Sequence, residues 1–364
     1  MEPTLPQGAG QQPAKPVKIN CSRGLANWLR TNGVSFGFTS YRTGRLYLIG
    51  ILNNGKISFH ERQFIRAMGV HATPQQIVLA SHWQIWRLEN VIAPGRVTPE
   101  GFDRHYIPRN AQTTGDVDAH DVGVDNQGRI VFVNTKYSCL ATFSHTHSFQ
   151  PIWKPPFISR LAPEDRCHLN GLAMLDGAPK YVTAVCKSDI VNGWRDRRAE
   201  GGCVVDVETN EIVTDRLSMP HSPRVYNGEL YVLDSGRGEL ARVDRKTGER
   251  SIIGFYPGFL RGLAFYKHYA IIGLSLPREQ SFAGLELDDN LKKRDAEPWC
   301  GVQIVDLRNG DVVEWLRLEG EVRELFDTFV LPGVRCPMAL GLMTPEVQSL
   351  ITIEAPAQPL STAS

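Results

Sequence analysis

The chain has no CxxC pair, no HExxH, no GxSxG elbow, no Walker loop and no GxGxxG turn. Their absence removes zincin chemistry, the α/β-hydrolase nucleophile and the two common nucleotide cradles. The seven cysteines, at 21, 139, 167, 186, 203, 300 and 336, are odd in number and widely scattered, which excludes a disulfide framework or a cysteine zinc site. No apolar run approaches the roughly 20 residues of a membrane helix, and the first residues lack the apolar core of a secretory signal. Neither sign of charge prevails. Forty Lys and Arg face 39 Asp and Glu, a net +1, so nucleic acid and anionic membranes are not expected partners. Methionine is scarce at 6 against 33 Gly and 23 Pro, which suits short strands and many turns. The expectation is a cytoplasmic chain with a disordered arm over 1–18, one domain over 19–354 and a disordered tail over 355–364.

What is present is repetition. The stretch 221–249 reads as three short strands, turned at Asn227-Gly228 and Lys246-Thr247-Gly248, whose residue types favour the φ > 0 of tight hairpins. A meander this short cannot bury both faces alone and needs copies of itself as neighbours. The copies are there, beginning near Phe64, His120, His168, His221 and Phe259, with a further meander over 34–60. Late in three units the same pattern returns as VVDVETNE, ARVDRKTGE and QIVDLRNGD, whose Asp206, Asp244 and Asp306 should accept turn N–H groups. Six units of about 45–50 residues predict an all-β fold, a six-bladed β-propeller with short peripheral helices. A β-sandwich or two small barrels is the rival. Helices are expected over 25–29 and 321–331, a long loop over 93–115, and ring closure by 334–353.

Strand, turn and second strand with a trailing small polar residue, as in Val232-Leu233-Asp234-Ser235-Gly236, resemble blades of the NHL, SMP-30 and strictosidine-synthase-like propellers. The resemblance is good over 118–310 and poor over the first hundred residues. The whole chain also resembles an uncharacterised bacterial propeller family, a domain of unknown function, and that likeness implies no activity.

His120, His168 and His221 align at the starts of three consecutive units, 48 and 53 residues apart. Innermost propeller strands run along the axis, so equivalent starts ring one mouth of the channel. Three imidazoles suffice as a first shell for one transition metal ion, zinc, iron or copper, with an open position. A hydrated channel whose histidines bond water or backbone explains them equally in kind. Asp121 and Asn170 are the candidates to orient the imidazoles, and capping of the strand turns accounts for both equally well. Arg66 and Arg261 are expected on the same ring opposite the histidines, with Arg224 nearby, to hold a substrate carboxylate or to pair with buried acids. Cys167 reads as a buried thiol, and His145 and His147 as surface residues.

Loops 93–115, 187–202 and 285–299 should cover the mouth. The functional expectation is a metal-dependent enzyme, a lyase or an O₂-using oxidoreductase, acting on a carboxylate-bearing small molecule or peptide. Peptidylamidoglycolate lyases are similar in architecture and ligand type. Carotenoid oxygenases use four histidines and SMP-30-type lactonases use carboxylates and Asn on calcium, which fits less well. The alternative is a non-catalytic propeller that binds a protein or peptide over its mouth.

Overall fold

Short runs of Val, Ile, Leu and aromatic residues, each stopped by a polar or glycine turn, form six antiparallel sheets around one axis. The computed structural model describes residues 17–277 and 284–354. Each sheet is a four-strand meander, and two of them carry a fifth strand. The fold is a six-bladed β-propeller. Its innermost strands, blade by blade, are Thr328–Pro332, Val70–Ala72, Ala119–Val124, Leu169–Leu175, Pro220–Tyr226 and Phe259–Tyr266. Each packs against the next around the ring.

Apolar faces of neighbouring blades meet to make the core. Val131, Val133 and Leu140 of the third blade, for example, pack with Leu172, Val182 and Ala184 of the fourth. Each fully buried side chain of that size contributes about 1.5–3 kcal/mol by leaving water. At two joints the inner strands approach closer than a side chain permits. A Cβ on Gly69 would lie 2.6 Å from the carbonyl oxygen of His120, and one on Gly262 (φ +82°) would lie 2.5 Å from the amide of Thr328. The expected turn role of the repeated aspartates holds. Asp206, Asp244 and Asp306 accept the amides of Glu208, Lys246 and Arg308 at 2.9, 2.8 and 3.0 Å.

The ring closes three times. Thr328–Pro332 is the inner strand of the first blade and pairs with Val34–Ser40. Lys18–Cys21 adds to the outer edge of the sixth blade, and Pro337–Ala339 lies parallel to Arg104–Thr113 on the second. Two expectations are corrected here. The helix expected over 321–331 is a strand from Thr328, because Phe329 and Leu331 alternate into the core. The expected 93–115 loop contains the ten-residue strand Arg104–Thr113, and its Pro108 stands where the pairing register shifts. Two α-helices are described, Leu25–Asn32 and Glu286–Lys293. Most of the arm and tail expected at the two ends lies outside the described residues.

Candidate functional site

Hydroxyl groups bolt one blade to the next. Thr39, Thr135 and Ser235, each just past or at the end of a blade's second strand, donate to the carbonyls of Met68, Leu169 and Leu260 in the following blade, at 2.6, 2.6 and 2.7 Å. In the third and fifth blades the same hydroxyl meets a histidine. His120 Nδ1 lies 2.8 Å from Thr135 Oγ1 and 3.0 Å from the Asp118 carbonyl. His221 Nδ1 lies 3.1 Å from Ser235 Oγ and 2.8 Å from the Met219 carbonyl. The hydroxyl proton is already committed to the next blade, and a carbonyl only accepts. Both Nδ1 atoms therefore carry the proton, and both Nε2 atoms keep a lone pair.

His168 does not share this place. It directly precedes Leu169, as Phe259 precedes Leu260, and the two leucine carbonyls receive the same interblade bond. Its backbone is held at φ 51°. Its Nδ1 turns to the Asp165 carboxylate at 3.0 and 3.1 Å, and its ring stacks on Trp194 at 4.2 Å. Trp194 Nε1 donates to the same carboxylate at 2.8 Å. Thus His120 and His221 are true equivalents, and the expected three-fold alignment is shifted at its middle member. The His120 and His168 rings still face each other edge-on, 4.9 Å apart. His221 packs against Phe259 at 5.6 Å instead. Among the described residues no three His, Cys, Asp or Glu side chains are gathered tightly enough to hold a metal ion. All three imidazoles are buried, and Nε2 of His221 is enclosed without a hydrogen-bond partner.

Burial holds His120 and His221 neutral. It pushes His120 down to about 4, helped by the charges of His168 and Arg261, although Asp118 pulls the other way. His221 falls well below the ordinary 6.5 through burial, with Arg261 next in weight. Arg261 thus stands with the histidines, where it was expected across the ring from them. Its guanidinium lies 4.7 Å from the Phe326 ring and 5.8 Å from that of Phe259, and Phe326 is 5.2 Å from His120. Arg66 is not its counterpart. Met68 takes the place of Leu260, so Gly69 takes that of Arg261. Arg66 pairs with Asp118 at 2.8 Å and Asp116 at 3.4 Å and lies over Tyr41.

Arg224 and Asp121 leave the histidine site altogether. Arg224 Nη1 is 2.7 Å from Asp121 and Nη2 is 3.3 Å from Asp327, while Nε and Nη1 donate to the carbonyls of Leu263 and Leu172. Asp121 also accepts the amide of Leu172, and Asp327 those of Val70 and Thr328. This knot touches the inner strand of every blade, so its members are structural. Burial raises the Asp327 carboxyl to about 7 despite Arg224. Asn170 is likewise engaged elsewhere, accepting from Thr183 at 2.7 Å. Sequence reasoning missed Asp165, Trp194, Phe326, Asp327 and the two relay hydroxyls.

The surroundings of the mouth also differ in part from expectation. Trp194 comes from the 187–202 loop, and Leu285, Leu287 and Leu291 of the segment around Glu286–Lys293 join it with Met219 and Phe259 in one apolar cluster. The strand Arg104–Thr113 is instead the fourth strand of the second blade, between Gln84–Asn90 and Pro337–Ala339. Cys167 is buried, and burial raises its thiol far above the ordinary 9.0, so it is no nucleophile. His145 and His147 are exposed.

A family model described as a domain of unknown function (DUF4915) matches residues 23–340. The chain belongs to this family. No curated protein matches the sequence. Among solved structures, a chain titled as part of a nidogen/laminin complex is similar in fold, at 10% identity and a TM-score of 0.50. The match covers 83% of this chain and 99% of that one. At such identity the likeness concerns the propeller alone. The histidines, Asp165, Trp194 and Arg261 all lie within the DUF4915 region, whereas the added strand Lys18–Cys21 precedes it.

The neutral histidines of this DUF4915 domain give its stability a pH dependence. His120 titrates near 4 when folded and at the ordinary 6.5 when unfolded, so the unfolded chain binds the extra proton between those values. Its contribution is intact above 6.5 and is lost as pH falls toward 4. Asp327, raised to about 7, acts in the opposite sense by holding a proton in the folded state. Substituting His120→Phe isolates the first effect. Between pH 7 and 5 the wild type should lose about 2 kcal/mol more than the variant. Urea unfolding at both pH values measures it, and equal losses would refute a buried neutral His120.

Proposed function

We propose that the histidine mouth is the active site of an enzyme that moves a proton on a small carboxylate-bearing molecule, as a lyase does. The observation that carries this reading is the Asp165–His168 pair. A carboxylate fixes the imidazole's tautomer from behind, Trp194 fixes its plane, and Nε2 remains as a base. His120 beside it is held neutral by burial and does not compete for the proton at neutral pH. Arg261 supplies positive charge, which attracts a carboxylate and offsets the negative charge that builds when an adjacent proton leaves.

The test follows a panel of small carboxylic acids by proton NMR in D₂O. Wild-type protein should wash an α-proton out of at least one acid, and His168→Ala should not. If no acid exchanges faster with wild type than with His168→Ala, the reading is wrong.

A metal-dependent enzyme using zinc, iron or copper is the second reading. It is favoured by one observation, the three Nδ1 atoms each anchored by an acceptor, because metal-bound imidazoles are oriented in this way. His120, His168 and His221 would hold the ion, which would polarise a substrate oxygen. The ungathered rings and the cation of Arg261 weigh against it. After chelation and reloading with Zn²⁺, the acid–base reading expects well under one equivalent per chain by atomic emission. One equivalent, lost in each His→Ala variant, would favour the metal.

The described cysteines are all free thiols, which suits a reducing compartment and supports a cytoplasmic location. Among the described residues no helix is long and apolar enough to cross a membrane.

A further inference from the structure

At the end of the first blade away from the histidines, a cavity of about 420 Å³ opens between the C-terminus of Leu25–Asn32 and the sheet. The strand Val34–Ser40 runs between the two places. Val34 lines the cavity, while Thr39 makes the same interblade bond as Thr135 beside His120. At about 3.3 Å per residue, the two ends are roughly 17 Å apart. The walls are apolar, formed by Leu29, Val34, Ile51, Leu52 and Val334. Gly33 and Gly333 meet on one side, where the Gly333 amide donates to the Gly33 carbonyl at 2.8 Å. A Cβ on either glycine would find no heavy atom within 4 Å, so the space beside them is open. An apolar cavity of about 150 Å³ already holds benzene, and small-molecule sites begin at about 300 Å³.

The charged side chains that line this space are Arg30 and Arg335, and no carboxylate lines it. Arg335 donates from Nη1 and Nη2 to the carbonyls of Ile51 and Gly101 at 3.1 and 2.7 Å and keeps its remaining N–H groups. Arg30 donates to the Asn27 side-chain oxygen at 2.8 Å. The carbonyls of Leu29, Arg30, Gly33 and Leu52 already receive backbone amides, so the polar surface left to a ligand is rich in donors. Neither arginine is ion-paired with an acid among the described residues. Asp103 gives its two oxygens to the amides of Arg335 and Cys336, each at 2.8 Å, and offsets at most one of the two charges. The helix C-terminus adds about half a negative charge near Arg30. The sum at the cavity stays positive. We propose that this is a second binding site, separate from the histidine mouth, for a short amphiphile with a carboxylate head, such as a medium-chain fatty acid. The acid group takes the guanidinium N–H groups, and the tail lies along Leu29, Ile51 and Val334. An alcohol would set a donor against donors, and an ammonium would be repelled.

The experiment titrates full-length protein, ¹³C-labelled at the Leu and Val methyls, with octanoate, octanamide, 1-octanol and octylamine at pH 7.5. Calorimetry reads the affinity, and the methyl signals report the location. Octanoate should bind about tenfold or more tightly than octanamide, with octylamine the weakest, and should shift the Leu29, Leu52 and Val334 methyls. Leu52→Trp fills the cavity from a half-buried position and should weaken octanoate at least tenfold. Arg30→Gln, on the exposed side of the helix end, should narrow the gap between octanoate and octanamide without disturbing the fold. Equal binding of octanoate and octanamide, with the same methyls moving, would show that the cavity takes apolar bodies without reading the acid, and would overturn the proposal. So would octanoate binding that leaves these methyls unmoved or survives Leu52→Trp, and so would no binding at all.

Discussion

Replacing Arg224 by methionine should destabilise the fold by about 3–5 kcal/mol, a large part of the margin of an ordinary domain. Among the described residues the guanidinium is the only cation in the knot formed with Asp121 and Asp327, whose side chains are 5% and 3% exposed. Without it two carboxylates are left buried side by side. The backbone amides of Val70, Leu172 and Thr328 still reach them, but amides carry no compensating charge. Because the knot ties all six inner strands, the loss should appear as a fall in global unfolding free energy and not as local fraying. Its pH dependence gives a second check. Asp327 is already raised to about 7 with Arg224 present, so removing the cation moves it higher still. The variant can relieve the charge by binding a proton and should be less impaired at pH 5 than at pH 7.5. Adding Asp121→Asn and Asp327→Asn to Arg224→Met should recover part of the loss, because a neutral cluster costs less to bury than an unpaired anion. Urea melts of the three chains at both pH values measure these effects. A loss below about 1 kcal/mol in the single variant would show that the knot is not what holds the axis.

Asp165→Asn should lower turnover by about 10²–10⁴ with little change in stability. The carboxylate only accepts from His168 Nδ1, which places the proton there and leaves Nε2 basic. An amide can present its NH₂ to Nδ1 instead, and the imidazole then carries its proton on Nε2, where a base is needed. The amide oxygen can still receive Trp194 Nε1, so the stacked indole stays in place. The solvent-deuterium exchange assay reads the rate, and thermal unfolding reads the fold. A variant that exchanges as fast as wild type would remove Asp165 from the mechanism, and His168 would need another orienting group.

Much of the architecture was legible because each blade writes its period into the chain. Asn227-Gly228 and the Asp206, Asp244 and Asp306 turns are local chemistry, fixed by residues two or three positions apart. The strand Thr328–Pro332 was not legible, since its partner Val34–Ser40 is some 290 residues away and only closure of the ring makes it a strand. The site divides in the same way. Spacings of about one blade brought three histidines to one mouth, but they could not reveal the two-residue offset that sends His168 to Asp165 and Trp194. A signal for the relay was there. Asn134-Thr135 and Asp234-Ser235 end equivalent strands with a hydroxyl, and those hydroxyls orient His120 and His221. Arg224 and Asp121 could not be told apart from substrate ligands by type alone. Only their mutual distance of 2.7 Å shows that each already satisfies the other.

Long-range ¹⁵N NMR of the histidine-labelled protein at pH 7 tests the central claim most directly, because each ring nitrogen reports whether it carries a proton. His120 and His221 should be neutral, all three mouth histidines should carry their proton on Nδ1 with a lone pair at Nε2, and the His168 pattern should reverse in Asp165→Asn. Wild-type His168 protonated on Nε2, or His120 charged at that pH, would contradict the assignment of this mouth as a proton-transfer site.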